Sequence, residues 1–186
     1  MFGGDTMLNN LEVEYKILVS KQQFLQLKGC YSPLTTRTQT NTYYDTEDYS
    51  LRNKKYAMRI RTIGDKFLFT LKTPSKGAHE EHECYVNTNS VEAFKCPEIV
   101  TLFKKYDIAG DLVKIGECVT HRSIYDNDLA ELCFDINEYK NQTDYEIEYE
   151  QKVDHDGKLE FNKILSKVNL VFVENGPSKI ARACSL

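Results

Sequence analysis

The sequence predicts an α+β chain that is mostly antiparallel β, an eight-stranded closed β-barrel with helices packed outside it. Three observations predict it. Segments of alternating apolar and polar residues recur along the chain and are joined by short turns. Between them lie three segments with helical spacing of their apolar residues. The polar positions of the strands are not mixed, as solvent faces usually are, but carry charges grouped by sign.

The elements follow in order. The first strand covers roughly 11–18 and opens on LEVEYK. SKQQFLQLKG then offers a serine cap, apolar Phe24, Leu25 and Leu27, and a stopping Gly29, which predicts a helix over 20–28. QTNTYYDT (39–46), YAMRIRTI (56–63), KFLFTLKT (66–73) and EEHECYVN (80–87) read as a meander, with Gly64-Asp65 as one turn. Residues 90–108 are helical in pattern, with Pro97 suited to the first turn of a second short helix. KIGECVTHRSIY (114–125), LAELCFDINEY (129–139) and TDYEIEYEQKV (143–153) return to strands, with turns at Asn127-Asp128 and Asn141-Gln142. An amphipathic helix follows over 157–170, on Leu159, Phe161, Ile164, Leu165 and Val168, and SKIARACSL closes as a short helix.

The 186 residues suit a single domain spanning 1–186. No apolar run is long enough to cross a bilayer, and MFGGDTMLNN lacks the regions of a signal peptide, so a cytoplasmic protein with no membrane partner is expected. The net charge of −4 and pI of about 5.6 argue against a nucleic-acid polymer as partner. The six cysteines are spread without a CxxC pair, as expected for reduced thiols. HEEH at 79–82 is not the helical HExxH of zinc proteases, because on a strand His79 and His82 face opposite sides.

The charges carry the functional reading. Glu12, Glu14 and Lys16 share one face of the first strand. Arg59 and Arg61 alternate with Met58 and Ile60, and Lys72 stands opposite in phase to Phe69 and Leu71. Glu81 and Glu83 share a face, as do Glu146, Glu148 and Glu150, while Arg122 and Asp135 alternate with apolar neighbours. Like charges two apart on a strand lie roughly 6.5 to 7 Å from one another. Such faces make sense turned inward, into a barrel with a wet lumen. Arginine and lysine there suit phosphate oxygens, and carboxylates suit hard divalent cations. A charged lumen of this kind fits a metal-bound polyphosphate.

LEVEYK resembles the ExExK signature of the CYTH family, also called triphosphate tunnel metalloenzymes. NTYYDT (41–46), AMRIR (57–61), FTLK (69–72), EEHE (80–83), THR (120–122), FD (134–135), DYEIEYE (144–150) and SKIAR (178–182) follow in that family's order. The resemblance implies an antiparallel tunnel for a small triphosphate-containing ligand, with Mg²⁺ or Mn²⁺ as cofactor, in a monomer or homodimer. It implies that Lys16, Arg59, Arg61, Lys72, Arg122, Lys179 and Arg182 grip the phosphates. Glu12, Glu14, Glu81, Glu83, Asp135, Glu146 and Glu148 would serve the metals, with Glu12, Glu14 and Lys72 closest to the chemistry. Where the family commonly has further basic residues, this chain has His79 and Thr120. The implied activity is metal-dependent hydrolysis of tripolyphosphate or a similar compound. A class IV-type adenylate cyclase, a thiamine triphosphatase and a non-catalytic polyphosphate or nucleotide-binding module are the alternatives.

Overall fold

The computed structural model of the chain describes residues 8–75 and 78–184, with the backbone alone for 8–12 and 78. In chain order the elements are β1 (Leu8–Glu12), β2 (Glu14–Val19), α1 (Lys21–Lys28), β3 (Thr35–Thr46), α2 (Ser50–Asn53), β4 (Ala57–Ile63), β5 (Lys66–Ser75) and β6 (Ala78–Val86). A 3₁₀ turn (Val91–Lys95) precedes α3 (Pro97–Lys105), and β7 (Leu112–Asp126), β8 (Ala130–Glu138), β9 (Thr143–Gln151), α4 (Gly157–Leu165) and α5 (Lys179–Ala183) complete the chain.

The class is the expected one, antiparallel strands with few helices. Two details differ. LEVEYK is broken at Val13, so the first of the eight expected strands is divided in two, and nine strand segments lie among the described residues. The strand order has β1 and β2 at its two ends, so "closed" goes further than that order does. No helix among the described residues is long and apolar enough to cross a membrane.

The described residues fall into two compact units, one of 8–11 with 39–117 and one of 12–38 with 118–184. In the first, β3, β4, β5 and β6 pair antiparallel in sequence order. Register separates two faces. Tyr44, Met58, Leu71 and His82 form one cross-strand row, and Ile60, Phe69 and Cys84 lie in the next. These rows meet Phe94, Ile99 and Leu102 in one hydrophobic cluster. The 3₁₀ turn and α3 supply those three side chains because Pro97, lacking an N–H, opens α3 at its first position. The opposite face holds the row Tyr43, Arg59, Thr70 and Glu83, and beside it Lys72 opposite Glu81.

In the second unit the order is β7, β8, β9, β2, again antiparallel. Ser123, Phe134, Ile147 and Ile17 make one row, and Tyr125, Leu132, Tyr149 and Tyr15 the next. Phe24 and Leu27 of α1 and Phe161 and Leu165 of α4 join Leu132, Phe134 and Ile147 in its core. The start of α1 is a capping box: Ser20 Oγ accepts from the Gln23 N–H at 3.3 Å, and Gln23 Oε1 accepts from the Ser20 N–H at 3.1 Å. The predicted 157–170 helix ends earlier, at Leu165, and passes through a 3₁₀ turn into left-handed Asn169, with φ 58°.

One helix has no counterpart in the sequence reading. The short α2 starts from a left-handed Tyr49, and its first amides are satisfied from a distance: Asp45 accepts from the N–H groups of Leu51 at 2.9 Å and Arg52 at 3.0 Å. Asp45 is buried and also accepts from the Thr46 N–H at 2.7 Å. The carboxylate of YYDT is therefore spent on shaping the turn.

Candidate functional site

Two-residue periodicity places the charges of the second unit on one face. Arg122, Asp135 and Glu146 stand directly across from one another on β7, β8 and β9, and Glu148 stands across from Lys16. The opposite face of the same strands is consumed by the core, so these side chains are buried on the other side: Asp135 is 0%, Glu146 1% and Glu148 4% exposed. Buried charges persist only when paired, and these are paired densely.

Arg122 is bidentate on Asp135, its Nε donating to Oδ1 at 2.8 Å and its Nη2 to Oδ2 at 2.7 Å. It also donates to Glu148, and to Glu150 at 2.9 Å. Lys179, from α5, sets its ammonium 2.9 Å from Asp135 and 2.5 Å from both Glu146 and Glu148. Arg182, one turn on, clasps Glu146 with two bonds of 2.9 Å and donates to the Tyr139 hydroxyl at 2.9 Å. Lys16 pairs with Glu14 on its own strand.

The electrostatics follow. Burial pushes the Glu148 carboxyl up, but the charges of Lys179, Arg122 and Lys16 outweigh it and hold the group well below the usual carboxylate range. Burial likewise disfavours the Lys179 ammonium, and Glu148, Asp135 and Glu146 reverse the sign and hold it protonated. Glu150 goes the other way: burial raises it, Arg122 opposes, and Glu148 and Glu14 add to the rise. Three cations (Arg122, Lys179, Arg182) face five carboxylates (Asp135, Asp144, Glu146, Glu148, Glu150) in these contacts, a balance of −2 with all ionised.

That balance and the donor set suit a hard divalent cation. Asp135, Glu146 and Glu148 each offer an oxygen, and these lie within 4.8 Å of one another; Glu14, Glu148 and Glu150 form a second such group. All-oxygen carboxylate sets of this kind favour hard cations over soft ones. Glu12 lies on β1 among the residues whose side chains are not described.

In the first unit, Lys72 pairs with Glu81, and Arg59 stands 3.9 Å from the same carboxylate. Thr70 donates to Glu83 at 3.0 Å, and Arg61 donates from Nε to Asn41 at 3.0 Å. Glu81 and Glu83 belong to none of the three-carboxylate groups among the described residues. The structure thus brings Arg59, Arg61, Lys72, Glu81 and Glu83 to one face of this unit. It gathers Glu14, Lys16, Arg122, Asp135, Glu146, Glu148, Lys179 and Arg182 on one face of the other.

Sequence reasoning passed over several partners. Asn137 accepts from Thr120 at 2.8 Å and donates to Asp144 and Glu146, so the Thr120 hydroxyl is a supporting group. Asp144 could have been found, since it lies two before Glu146 and extends the same alternation. Tyr139 could not, because only the position of α5 makes it a partner of Arg182.

Antiparallel strands with few helices, arranged in this order, are a fold that known proteins share. The CYTH domain matches residues 10–183, and the chain belongs to that family. YjbK of Bacillus subtilis (strain 168), named as a candidate triphosphatase, is 30% identical over 171 residues, covering 88% of this chain and 90% of that protein. The crystal structure of a Bacillus halodurans protein described as a candidate adenylate cyclase (bh2851) aligns with a TM-score of 0.81 at 27% identity, over 94% of this chain and 97% of that one. HpAC1 from Hippeastrum, a candidate adenylyl cyclase described as having a dominant triphosphatase activity, shares the fold with a TM-score of 0.73 at 24% identity, over 91% and 93%.

Proposed function

We propose that the protein is a divalent-metal-dependent triphosphatase that hydrolyses a phosphoanhydride bond of tripolyphosphate or a similar small triphosphate. The observation that carries this reading is the buried Asp135, Glu146 and Glu148 triad with the Lys179 ammonium seated on all three. Surface charges do not need such an arrangement. The family and the 30% identity to a candidate triphosphatase support the same reading.

The triad would hold Mg²⁺ or Mn²⁺, with Glu14 and Glu150 beside Glu148 as a further group. Bound there, the ion supplies charge neutralisation for phosphoryl oxygens and acidifies a coordinated water. The chain's own residues do the rest. Lys16, Arg122, Lys179 and Arg182 are cationic donors, suited to bind and orient phosphoryl oxygens by charge-assisted hydrogen bonds. On the first unit Arg59, Arg61 and Lys72 are donors of the same type. Glu14, on the strand edge beside Glu150, accepts the proton of the attacking water. The water oxygen bonds to the terminal phosphorus, which departs as orthophosphate, as the bridging P–O bond breaks and the leaving pyrophosphate takes the electron pair. Most of the barrier lowering would come from positioning and fixed charge.

A second reading has one observation in its favour, the likeness to the Bacillus halodurans candidate adenylate cyclase at 27% identity. There a ribose hydroxyl would replace water. One assay separates the two: tripolyphosphate, ATP and thiamine triphosphate incubated with Mg²⁺ or Mn²⁺ and the products resolved. Orthophosphate from tripolyphosphate, abolished by EDTA and reduced at least about a hundredfold in Glu148→Gln, is the expected result. Pyrophosphate with cyclic AMP from ATP would establish cyclisation. No product from any of the three would remove both.

A further inference from the structure

Strand β3 carries two amides on the charged face of the first unit. Asn41 lies directly across from Arg61 and Tyr43 across from Arg59, and Gln39 is the next residue of the same set. Both amides are buried, Gln39 at 1% exposed and Asn41 at 0%. Neither Nε2 nor Oε1 of Gln39 has a hydrogen-bond partner among the described residues, and neither does Nδ2 of Asn41.

Buried amides are normally satisfied, because leaving one unpaired forfeits its hydration with no return. Here the orientation of one is determined. Arg61 donates from Nε to Asn41 Oδ1 at 3.0 Å, and a guanidinium only donates, so the Asn41 oxygen must face it and the Nδ2 hydrogens must point elsewhere. The face therefore offers two unspent donors, Asn41 Nδ2 and Gln39 Nε2, and one unspent acceptor, Gln39 Oε1.

We propose that Gln39 and Asn41 form a neutral subsite beside Arg61 for a terminal, unesterified phosphoryl group that carries a hydroxyl. This deepens the triphosphatase reading and rests on it. The two N–H donors bond to phosphoryl oxygens, and Gln39 Oε1 accepts a hydrogen bond from the P–OH group, whose proton a terminal phosphate keeps in part near neutral pH because its second ionisation lies near 6. Neutral donors have a physical advantage at this place. Arg59, Arg61 and Lys72 already crowd the face with positive charge, and another cation would need its own carboxylate, whereas an amide adds hydrogen bonds without repulsion. The acceptor also gives selectivity, since an internal or cyclic phosphoryl group has no hydroxyl to offer it.

The test is calorimetric titration in EDTA with linear tripolyphosphate and with cyclic trimetaphosphate, which has no terminal group. Gln39→Met, close in shape, removes both donor and acceptor; Asn41→Asp keeps the oxygen for Arg61 and removes the donor. Gln39→Met, which removes two neutral hydrogen bonds, is expected to weaken linear tripolyphosphate about ten- to a hundredfold, and Asn41→Asp, which removes one and adds a repelling charge, at least about three- to tenfold. Gln39→Met should weaken the cyclic ligand less. Without ligand, Gln39→Met should melt no lower than the parent, because it deletes an unpaired amide. If Gln39→Met does not fold, Gln39→Leu, which also removes both donor and acceptor, carries the same comparison. Parent-like binding of the linear ligand by both variants would overturn the subsite and leave the amides to structural water, with the triphosphatase reading intact. Equal losses for linear and cyclic ligands would overturn the hydroxyl selectivity. A parent that binds neither ligand in EDTA would overturn the subsite, while the product assay with Mg²⁺ or Mn²⁺ would still decide the triphosphatase reading by itself.

Discussion

His82 is the residue where the sign of a single titration can be followed. It faces the core of the first unit, 1% exposed, with its Nε2 2.6 Å from the Tyr106 hydroxyl and 3.6 Å from Glu80. Burial lowers its pKa, Glu80 opposes, and Lys105 adds to the lowering. An unfolded histidine takes its proton near pH 6.5, and the folded one resists it. The unfolded state thus binds more protons as the pH falls through that value, and stability is lost on the acid side. Urea unfolding of the parent and His82→Gln at pH 8 and pH 5.5 should show the parent losing more, by at most about 1.4 kcal/mol per pH unit. Parallel losses would assign the acid sensitivity to other groups. HEEH thus offers a buried core histidine at its second His, and a strand pattern was enough to set that residue apart from a helical zinc motif.

At the scale of elements, the entry to α4 is a tight junction. A Cβ at Gly157 would stand 2.6 Å from Gln151 Cδ and 2.8 Å from the Tyr15 ring. Gln151 can swing away, but Tyr15 is held in the second core between Phe161 and Phe172, at ring-centroid distances of 6.4 and 5.4 Å. Gly157→Ala should therefore cost about 1 to 3 kcal/mol through overpacking, read as a lower urea midpoint with an unchanged m-value. A midpoint equal to the parent's would mean that α4 shifts without resistance. The elements themselves were largely legible, because alternation and capping residues are local signals: Ser20 with Gln23, and Pro97, mark helix starts that the structure contains. The break at Val13 was not legible, since the alternation of LEVEYK runs through it without a fault. The helix α2 escaped as well, its amides being satisfied by Asp45 across an intervening turn.

Over the molecule as a whole, the sequence showed which charges share faces but not which are paired. Arg122 and Asp135 are 13 positions apart and become bidentate only through the register of β7 on β8. Gln39 and Asn41 drew no notice because neutral amides on a strand look like ordinary polar positions until burial is known. The charge inventory still supports a global expectation. Tripolyphosphate should raise the melting temperature, as a ligand selective for the folded state does, and added salt should shrink the rise by screening. A rise of several degrees at millimolar ligand in low salt, halved or more at 0.5 M NaCl, is expected; a salt-independent rise would point to binding without phosphate–cation contacts.

The five residues of α5 are too few to persist as a helix unaided, and what they deliver to the triad is the Lys179 ammonium. A cation so delivered is a counter-ion on a leash. It offsets part of the charge of three carboxylates without being free to diffuse, and its local concentration is set by chain length rather than by the buffer. Any other cation entering among Asp135, Glu146 and Glu148 competes with that leash, and the hold on α5 weakens in proportion to the exchange.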